Sequence, residues 1–461
     1  MKYKVSDYIA NFFVKENILQ VFSVVGGGAM YLNDSLGHNK KLNVIYNHHE
    51  QASSIAAESY ARVSNKPAVV CVTSGPGGTN ALTGCLCGYM GSIPMFFLSG
   101  QVRIPFTPKG ANLSLRTIGE QEFDICKSVE SMTKYSQMIL DPNSIKYHLE
   151  KGLYLAKNGR PGPVWLDIPL DIQNSIIDEK ELYSFSLKEK KDLDFSKVDK
   201  NTIKKIIERL INSERPVIIT GMGIRLSDSL NEFLSLAEIL KIPVVSGMSS
   251  LDILNHDSKY NSGRAGVTGD RAGNFAIQNS DFLLSIGNRL SLKHTGYDFE
   301  SWAREAFKVV VDIDQKELFR KYLKIDMPIC TDAKHFILKF KEEILNSKYD
   351  DKKYSKWLNI CQKWVKKYPV IQKKHFVSKD NKCSTHAIFD YLSFLLNEND
   401  ILVTTSGTSR VIGRQVFRIK KGQRFIVNHA TSPMGYCLPA LIGAYIANKG
   451  KSKTILVTGE G

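Results

Sequence analysis

The sequence feature that most constrains the fold is a regular alternation of short apolar segments with amphipathic ones. Glu50–Val63 has the periodicity of a helix, and the segment that follows it, Ala68–Thr73, is almost wholly apolar. A short strand of that composition is typical of a parallel sheet covered on both faces. The same order of strand, turn and helix recurs along the chain. It predicts an α/β protein built from doubly wound parallel sheets.

The alternation falls into three segments, and we expect one domain for each. The first, residues 1–180, closes after the strand Val164–Ile168 and is followed by the charged linker Lys188–Lys200. The second covers residues 190–345 and the third residues 375–461. At about 100–200 residues per domain, a chain of 461 residues has room for three. The third shows three evident strands and stops directly after one, so we expect it to be incomplete at its C-terminal end.

Composition narrows the classes of function. The formal net charge is +16, but the lysines are spread along the chain, which favours a basic surface that attracts anionic small molecules over a nucleic-acid site. The eight cysteines form no paired CxxC set, as expected for free thiols in a reducing compartment. The N-terminus lacks the plan of a signal peptide, and no apolar run reaches about 18 residues. We expect a cytoplasmic protein that binds neither nucleic acid nor membranes.

Three features of the first segment suggest a ligand site. The turn Gly26-Gly27-Gly28 follows one predicted strand, and the turn Ser74–Asn80 follows another. Glycine lets the backbone approach a ligand closely, although an ordinary tight turn explains each of them equally well. Glu50 follows a third strand and opens a helix. A carboxylate there is mildly stabilising through the helix dipole, whatever else it does.

Further motifs appear in a fixed order around these turns. Glu58-Ser59-Tyr60-Ala61-Arg62 lies on the helix that Glu50 opens, and Ile93-Pro94 and Gly100-Gln101 flank the next strand. The series resembles the pyrimidine-binding domain of thiamine-diphosphate-dependent enzymes, above all the acetolactate synthase branch. Those enzymes have HEQ, YAR, TSGPG-TN, IP and GQ motifs in the same order. The three expected domains then correspond to a pyrimidine-binding, a central Rossmann-like and a partial diphosphate-binding domain.

The resemblance implies how the first segment holds thiamine diphosphate. The carboxyl group of Glu50 would bond to the pyrimidine ring and promote the imino tautomer that activates the cofactor. The two glycine turns would supply the other contacts. They come from Gly26, Gly27, Ser74, Gly75, Pro76, Gly77 and Asn80.

Two later residues match positions near the active site of acetolactate synthases. Gln121 matches a glutamine that would touch substrate or cofactor, and Lys134, in Thr133-Lys134-Tyr135, matches a TKH-like motif. A solvated loop is an equally good explanation for both. The family has Phe before that glutamine, whereas this chain has Glu120, which favours a polar or hydroxylated acceptor.

The third segment resembles the diphosphate-binding domain of the family. Met434, in a segment similar to TMGYGLPAAIGA, takes the place of the bulky residue that bends the cofactor; core packing is the alternative for it. Gly407-Thr408-Ser409 loosely matches a GQH turn beside the diphosphate. Gly459-Glu460-Gly461 matches the start of the GDG motif, so Glu460 would bind Mg²⁺ between the diphosphate oxygens. The asparagine that normally ends this motif would lie beyond the last residue.

The second segment resembles the middle domain of the family, which holds FAD in acetolactate synthases and no flavin in other members. The resemblance therefore leaves FAD as an alternative. The expected contacts follow predicted strands. They are Gly221, Gly223, Gly287, Arg289, Asp312 and Asp314.

The activity that the resemblance implies is decarboxylation of pyruvate or a related 2-oxo acid, with transfer of the acyl carbanion to a carbonyl acceptor. That acceptor is pyruvate or a keto-sugar. A non-oxidative 2-oxo acid decarboxylase and a carbon–carbon lyase or hydrolase are alternatives from the same superfamily. A truncated fragment without catalysis, an assembly partner and a flavin oxidase are alternatives from other classes. The resemblance also implies a homodimer or homotetramer.

Overall fold

The computed structural model describes residues 2–186, 188–189, 198–377 and 382–459. These residues form two compact units. One comprises the chain up to residue 193 together with residues 430–456, and the other is formed chiefly by residues 194–429. Residues 430–456, which we assigned to the third domain, thus belong to the first unit. The division into three domains stays a prediction.

The first unit is built on a parallel sheet. Its strands are Lys2–Lys4 (β1), Gln20–Ser23 (β2), Asn43–Tyr46 (β3), Ala68–Val72 (β4), Met95–Gln101 (β5), Tyr135–Met138 (β6), Pro163–Pro169 (β7) and Ile176–Asp178 (β8). Six of them form one sheet in the order β3-β2-β4-β5-β7-β6, with every neighbouring pair parallel. The strands β1 and β8 form a separate antiparallel pair.

Helices cover both faces of this sheet. They are Val5–Lys15 (α1), Met30–His38 (α2), Glu50–Ser64 (α3), Pro76–Asn80 (α4), Leu82–Gly91 (α5), Ile125–Val129 (α6), Ile145–Lys157 (α7) and Leu170–Asn174 (α8). Successive residues of β5 point to opposite faces. Phe96 packs edge-on against Phe13 of α1, at 5.1 Å between ring centroids, whereas Phe97 stacks on Trp165 of β7 at 4.5 Å. Apolar cores on both sides explain why β4 and β5 are apolar throughout.

The second unit repeats this architecture. Its first six strands are Pro216–Thr220 (β9), Val244–Ser246 (β10), Asn261–Arg264 (β11), Phe282–Ile286 (β12), Phe307–Asp312 (β13) and Met327–Cys330 (β14). They form a parallel sheet in the order β11-β10-β9-β12-β13-β14. The helices up to residue 367 are Lys200–Asn212 (α9), Gly223–Leu226 (α10), Leu230–Leu240 (α11), Arg271–Gln278 (α12), Leu292–Thr295 (α13), Gln315–Leu318 (α14), Ala333–Leu345 (α15) and Ser355–Lys367 (α16).

The remaining elements complete both units. The second unit also contains Thr385–Leu395 (α17), Ile401–Thr404 (β15), Thr408–Val416 (α18) and Arg424–Ile426 (β16), and β15 pairs with β16 in parallel. The helix Cys437–Asn448 (α19) packs on α3 in the first unit, and the strand Thr454–Val457 (β17) follows it. The predicted fold class, α/β with doubly wound parallel sheets, is confirmed. Within the described ranges, no helix is both long enough and apolar enough to span a bilayer.

Each large sheet has a point at which the winding of the chain reverses. In the first sheet the chain passes from β2 outward to β3 and then returns to the other side of β2 as β4. In the second sheet it passes from β9 to β10 and β11 and returns as β12. Ligands of doubly wound folds bind in the crevice beyond the carboxyl ends of the strands at such a point. The crevice after β2 and β4 is therefore the place to look for an active site.

Candidate active site

The two glycine turns of the first unit meet at the crevice after β2 and β4. The backbone N–H of Gly28 donates to Oγ1 of Thr73, at 3.0 Å. A Cβ atom on Gly26 would lie 2.5 Å from Cβ of Thr73, closer than real Cβ atoms approach, whereas one on Gly27 would meet nothing within 4 Å. The first turn therefore needs glycine at residue 26, and it is open towards the crevice at residue 27.

Glu50 is the first residue of α3 and lies next to the second turn. His49 caps the helix by accepting a hydrogen bond from the backbone N–H of Gln51, at 3.1 Å. Oε2 of Glu50 accepts a hydrogen bond from Nδ2 of Asn80, at 3.0 Å. A Cβ on Gly77 would lie 3.6 Å from Oε1 of Glu50 and 2.7 Å from the methyl carbon of Thr73. The structure therefore brings Glu50, Gly77 and Asn80 together, as the sequence predicted.

The second turn depends on two residues with special backbone properties, a glycine and a proline. Gly75 has φ +59°, in a region that L side chains rarely adopt. Pro76 opens α4, where its missing N–H is not needed. The backbone N–H of Gly77 donates to the carbonyl of the buried Ser74, at 3.3 Å. These features fold the turn back over the ends of β2 and β4.

Gln121 lies against this turn through its backbone. A Cβ on Gly75 would be 2.5 Å from the carbonyl oxygen of Gln121, so only glycine allows this approach. Gln121 itself has φ +66°, and its side chain is exposed. The loop is held by the buried carboxylate of Glu122, which the sequence interpretation did not single out. In the sequence Glu122 follows Gln121 directly, but a role was predicted for Gln121 only.

Lys134 lies apart from this group, and its catalytic role stays a prediction. It precedes β6, and its backbone N–H donates to the carbonyl of Pro163 at the start of β7. Its ammonium donates to the carbonyl of Leu155 and, at 2.6 Å, to that of Asn158, at the C-terminal end of α7. Burial lowers the pKa of this lysine to about 8. The starts of parallel strands and the crevice lie at opposite edges of the sheet, so Lys134 stabilises the end of a helix instead.

A buried polar network lies beneath the Gln121 loop. Asp167 accepts hydrogen bonds from the hydroxyl of Ser99, at 2.6 Å, and from Nε2 of Gln101, at 3.1 Å. The same nitrogen of Gln101 donates to the carbonyl of Phe123, at 2.9 Å. Trp165 donates to Oγ of Ser99, at 2.8 Å. Sequence analysis noted Gln101 as a motif residue but missed Asp167, whose signal is a lone acid in an apolar strand.

Met434 lies in a segment that is attached to the helix that Glu50 opens. Its side chain is 77% exposed, which excludes core packing as its role. Two residues later, the hydroxyl of the buried Tyr436 donates to Oε2 of Glu58 on α3, at 2.7 Å. Arg62, one turn further along α3, forms an ion pair with the other oxygen of Glu58. The structure thus links the Met434 segment to the Glu50 helix through the buried side chains of Tyr436, Glu58 and Arg62. In the sequence these three residues are motif positions to which no role was assigned.

The turn predicted to contact the diphosphate lies in the second unit. Gly407, at φ +85°, precedes α18, and a Cβ on it would meet nothing within 4 Å. Thr408 is exposed, and the hydroxyl of Ser409 donates to the carbonyl of Thr405 at 3.5 Å. The exposed start of a helix suits an anion because its N–H groups lack partners within the helix. The contact of these three residues with a diphosphate stays a prediction.

The predicted flavin contacts gather at the crevice of the second sheet but are already engaged. A Cβ on Gly221 would lie 1.9 Å from the carbonyl oxygen of Gly287, and one on Gly223 would lie 2.6 Å from Cα of Gly287. The two loops therefore need these glycines for their own packing. The polar contacts bond locally: Arg289 to Glu317 at 2.7 Å, Asp312 to the N–H of Asp314 at 2.9 Å, and Asp314 to the N–H of Lys316 at 3.0 Å. The contact of these residues with a flavin stays a prediction.

Only one residue of the predicted metal motif lies within the described residues. Gly459 is exposed, whereas Glu460 and Gly461 lie outside the described residues. Within the described ranges, no three His, Cys, Asp or Glu side chains gather in a way that could hold a metal ion. The Mg²⁺ prediction therefore depends on Glu460 and is not tested by the structure.

The fold and this crevice define a thiamine-diphosphate-dependent enzyme, and comparison with known families agrees. Residues 3–127 match the N-terminal binding domain of thiamine pyrophosphate enzymes, thiamine pyrophosphate being another name for the diphosphate. Residues 203–340 match the central domain of these enzymes, and residues 405–461 match their C-terminal binding domain. The chain belongs to this family, in its acetolactate synthase-like branch.

The branch follows from individual relatives. The chain is 30% identical over 457 residues to a probable acetolactate synthase large subunit of Methanococcus aeolicus, covering 97% of this chain and 74% of the relative. It is 30% identical over 441 residues to the acetolactate synthase large subunit of Lactococcus lactis, covering 96% and 73%. The chloroplastic acetolactate synthase of Arabidopsis thaliana is 28% identical over 448 residues. These matches favour an enzyme over a non-catalytic fragment, and they do not support the prediction of truncation.

The residues of the first crevice fit the pyrimidine end of the cofactor. Side chains do not fit at Gly26, Gly75 and Gly77. These turns therefore present only their backbone to a flat ring. A half-buried carboxyl group, Glu50, lies beside them with one oxygen bonded to Asn80. This donor set suits a ring nitrogen that shares a proton with a carboxyl group.

Proposed function

We propose that this enzyme decarboxylates a 2-oxo acid, pyruvate in the first place, and joins the remaining acyl group to the carbonyl of a second pyruvate. The observation that carries the proposal is Glu50, which lies beside Gly77 and Asn80 at the crevice after β2 and β4. The relatives named as acetolactate synthases support the choice of substrates. When bound, thiamine diphosphate supplies the carbon nucleophile that attacks the 2-oxo carbonyl.

The role of Glu50 is to hold a proton at the pyrimidine ring. Asn80 occupies Oε2, so Oε1, on the Gly77 side, is the oxygen left to bond the ring nitrogen. A positioned carboxyl group that shares a proton in this way is a general acid–base catalyst. The turns at residues 26–28 and 73–77 place backbone beside it. Gln121, whose loop touches Gly75, is proposed to contact substrate, and Met434 to support the cofactor.

Further residues are proposed to hold the diphosphate end of the cofactor. Mg²⁺ bound by Glu460 would bridge the diphosphate to the protein, because carboxylate oxygens are ligands that this ion prefers. Thr408 and Ser409, at the start of α18, would bond the diphosphate. The reaction itself does not use FAD, and FAD at the crevice of the second sheet stays the alternative that the resemblance left open. Yellow purified protein would support it.

We also propose a homodimer or homotetramer. The helix α17 exposes an apolar face formed by Ile388, Tyr391 and Leu395, which are 40–64% exposed. Contiguous apolar surface of this kind on a folded protein marks an interaction site. A second copy of the chain is the occupant that we propose for it.

A second candidate acceptor is favoured by Glu120. This residue is exposed and precedes Gln121 in the same loop. A carboxylate there repels the carboxylate of a second 2-oxo acid and can accept hydrogen bonds from hydroxyl groups. A neutral keto-sugar is therefore the alternative acceptor. Robust formation of acetolactate from pyruvate alone, with no branched sugar formed when a keto-sugar is added, would exclude it.

Replacement of Glu50 by Gln tests the proposed function. An amide cannot hold the proton at the ring, so we expect a loss of at least about 100-fold in turnover of pyruvate, in line with the contribution of a general acid–base group. The measurement is acetolactate formation with thiamine diphosphate and Mg²⁺ present. The matched control is Glu232→Gln, which removes another carboxylate from the first turn of a helix. Equal activity of the Glu50 variant and the wild type would refute the proposal.

A further inference from the structure

The loop that carries Gln121 has an unusual construction. Residues 117–122 belong to no helix or strand. The side chains of Ile118, Glu120 and Gln121 are exposed, so apolar packing does not define the conformation of the loop. Gly119 and Gln121 both have positive φ, at +131° and +66°. Some other interaction must hold this backbone in place.

That interaction is a single carboxylate. Oε1 of Glu122 accepts hydrogen bonds from the hydroxyl of Thr117, at 2.6 Å, from the N–H of Ile118 and from the N–H of Gly119, at 3.1 Å. Oε2 accepts one from the N–H of Glu120, at 2.8 Å. Glu122 is 5% exposed. The preceding residues are thus wrapped around the charge, and the backbone donors that the loop would otherwise leave unpaired are satisfied.

The electrostatics agree with this geometry. Burial alone would raise the pKa of Glu122, but the hydrogen bonds from Thr117, Ile118 and Glu120 outweigh it and lower the pKa to about 2. The group is therefore ionised throughout the neutral range. At neutral pH its negative charge accepts the hydrogen bonds of the loop.

The loop in turn touches the cofactor turn. The carbonyl of Gln121 lies where a Cβ on Gly75 would be 2.5 Å away, so the two backbones are in direct contact. Phe123, the residue after Glu122, is also fixed, because Gln101 donates to its carbonyl at 2.9 Å. Glu122 therefore lies between a fixed point at Phe123 and a contact with Gly75. Any relaxation of its hydrogen bonds changes how Gln121 meets the crevice.

We propose that Glu122 is a positioning residue of this enzyme: its carboxylate folds the Thr117–Gln121 loop and holds the Gln121 backbone against Gly75 of the cofactor turn. This inference depends on the proposed function, because it takes the crevice after β2 and β4 to be the cofactor site. Glu122 contacts neither cofactor nor substrate in this arrangement. It acts through the position of Gln121.

Replacement of Glu122 by Gln tests the proposal. The amide keeps one acceptor oxygen but presents an NH₂ group to backbone N–H donors, so the loop loses its fixed shape. We expect the dissociation constant for thiamine diphosphate, measured by calorimetry with Mg²⁺, to rise about tenfold, which is about 1.4 kcal/mol. Because the loop side chains are not part of the core, the Tm of the cofactor-free protein should change by less than about 2 °C. Glu122→Asp, which keeps the charge with a shorter reach, should fall between the two.

A second measurement reports on the loop itself. Arg116, just before the loop, is exposed and is a site for trypsin. Cleavage after Arg116 should be several times faster in Glu122→Gln than in the wild type. The matched control is Glu130→Gln, an exposed carboxylate eight residues further on, which should change neither cleavage nor affinity.

The outcomes separate the inference from the proposed function. Weaker cofactor binding and faster cleavage, at unchanged Tm, would support it. Wild-type affinity and cleavage in Glu122→Gln would overturn it while the proposed function stands. A lower Tm, with activity lost only in proportion to the unfolded fraction, would overturn it in favour of a purely structural glutamate. A wild-type protein that fails to bind thiamine diphosphate would overturn both.

Discussion

Asp167 is a buried carboxyl group near the end of β7, opposite Ser99 of β5 and below the Gln121 loop. Burial raises its pKa to about 7, although hydrogen bonds from Ser99 and Gln101 oppose the shift. The group therefore changes its charge in the neutral range, where most buried carboxyls do not. Its ionisation introduces a charge into an apolar part of the sheet, which is unfavourable without a cation as partner.

The sign of the pH dependence follows from that shift. Between its ordinary pKa of 3.8 and about 7, the folded chain keeps a proton on Asp167 that the unfolded chain has released. Its contribution to stability is therefore complete at acid pH and is lost as the pH rises through about 7. Asp167→Asn imitates the protonated acid, since its amide can donate to Ser99 while its oxygen accepts from Gln101. We expect the Tm of the wild type, relative to this variant, to fall by at least about 2 °C between about pH 5 and about pH 8. Calorimetric scans at both values measure it; parallel curves would contradict the assignment.

The position of a single residue was predictable where it depends only on neighbours in the sequence. Glu50 at a helix start and Gly75 in a tight turn follow from neighbours in the sequence, and the structure has both there. Lys134 could not be located in this way, because a sequence does not tell which edge of a sheet a loop serves. Glu122 was overlooked because its partners, apart from the hydroxyl of Thr117, are backbone N–H groups, which no sequence motif displays.

At the scale of elements, α3 and α19 pack extensively on each other in the first unit. A Cβ on Gly443 would lie 1.9 Å from the carbonyl oxygen of Ala56 and 2.9 Å from the N–H nitrogen of Tyr60. The helix backbones thus pack directly on each other at this glycine. In an exposed helix, Gly→Ala is stabilising by about 1 kcal/mol. Here the added methyl group must push two helices apart.

We therefore predict that replacing this glycine by alanine destabilises the protein. Gly443→Ala should lower stability by about 1–3 kcal/mol, the usual cost of overpacking. Denaturant unfolding measures it. The control is Tyr445→Ala, at an exposed position of the same helix, which should change stability by less than about 0.5 kcal/mol. A Gly443→Ala variant that is more stable than the wild type would show that the helices are further apart than described.

Central strands were easier to predict from the sequence than most edge strands. The central strands Pro216–Thr220 and Phe282–Ile286, and the edge strand Asn43–Tyr46, have the bounds that their apolar segments predict. The prediction omitted β6, β11 and β14, at sheet edges, and the pair β1 and β8. Edge strands have one neighbour and less burial, so their composition differs little from that of loops. Such strands depend on the sheet beside them more than on their own residues.

At the scale of the whole molecule, the chain should assemble with copies of itself. The apolar face of α17, defined above by Ile388, Tyr391 and Leu395, is the surface that we expect to be covered. Light scattering on the purified protein should give a molar mass of at least two chains of 51.8 kDa. Tyr391→Lys should weaken the assembly, and Tyr183→Lys, at an exposed tyrosine of the first unit, should leave it intact. A stable monomer at micromolar concentration would contradict this proposal.

The hydrogen bond between Tyr436 and Glu58 joins residues 378 positions apart in the chain. Since α3 begins with Glu50 and carries Glu58 two turns later, the proposed activating acid and the segment around Met434 are joined through one helix. Mutations that accumulate in either stretch during evolution are therefore constrained by the other. We expect the two stretches to change together among related sequences, with Glu58 as the position through which each limits the drift of the other.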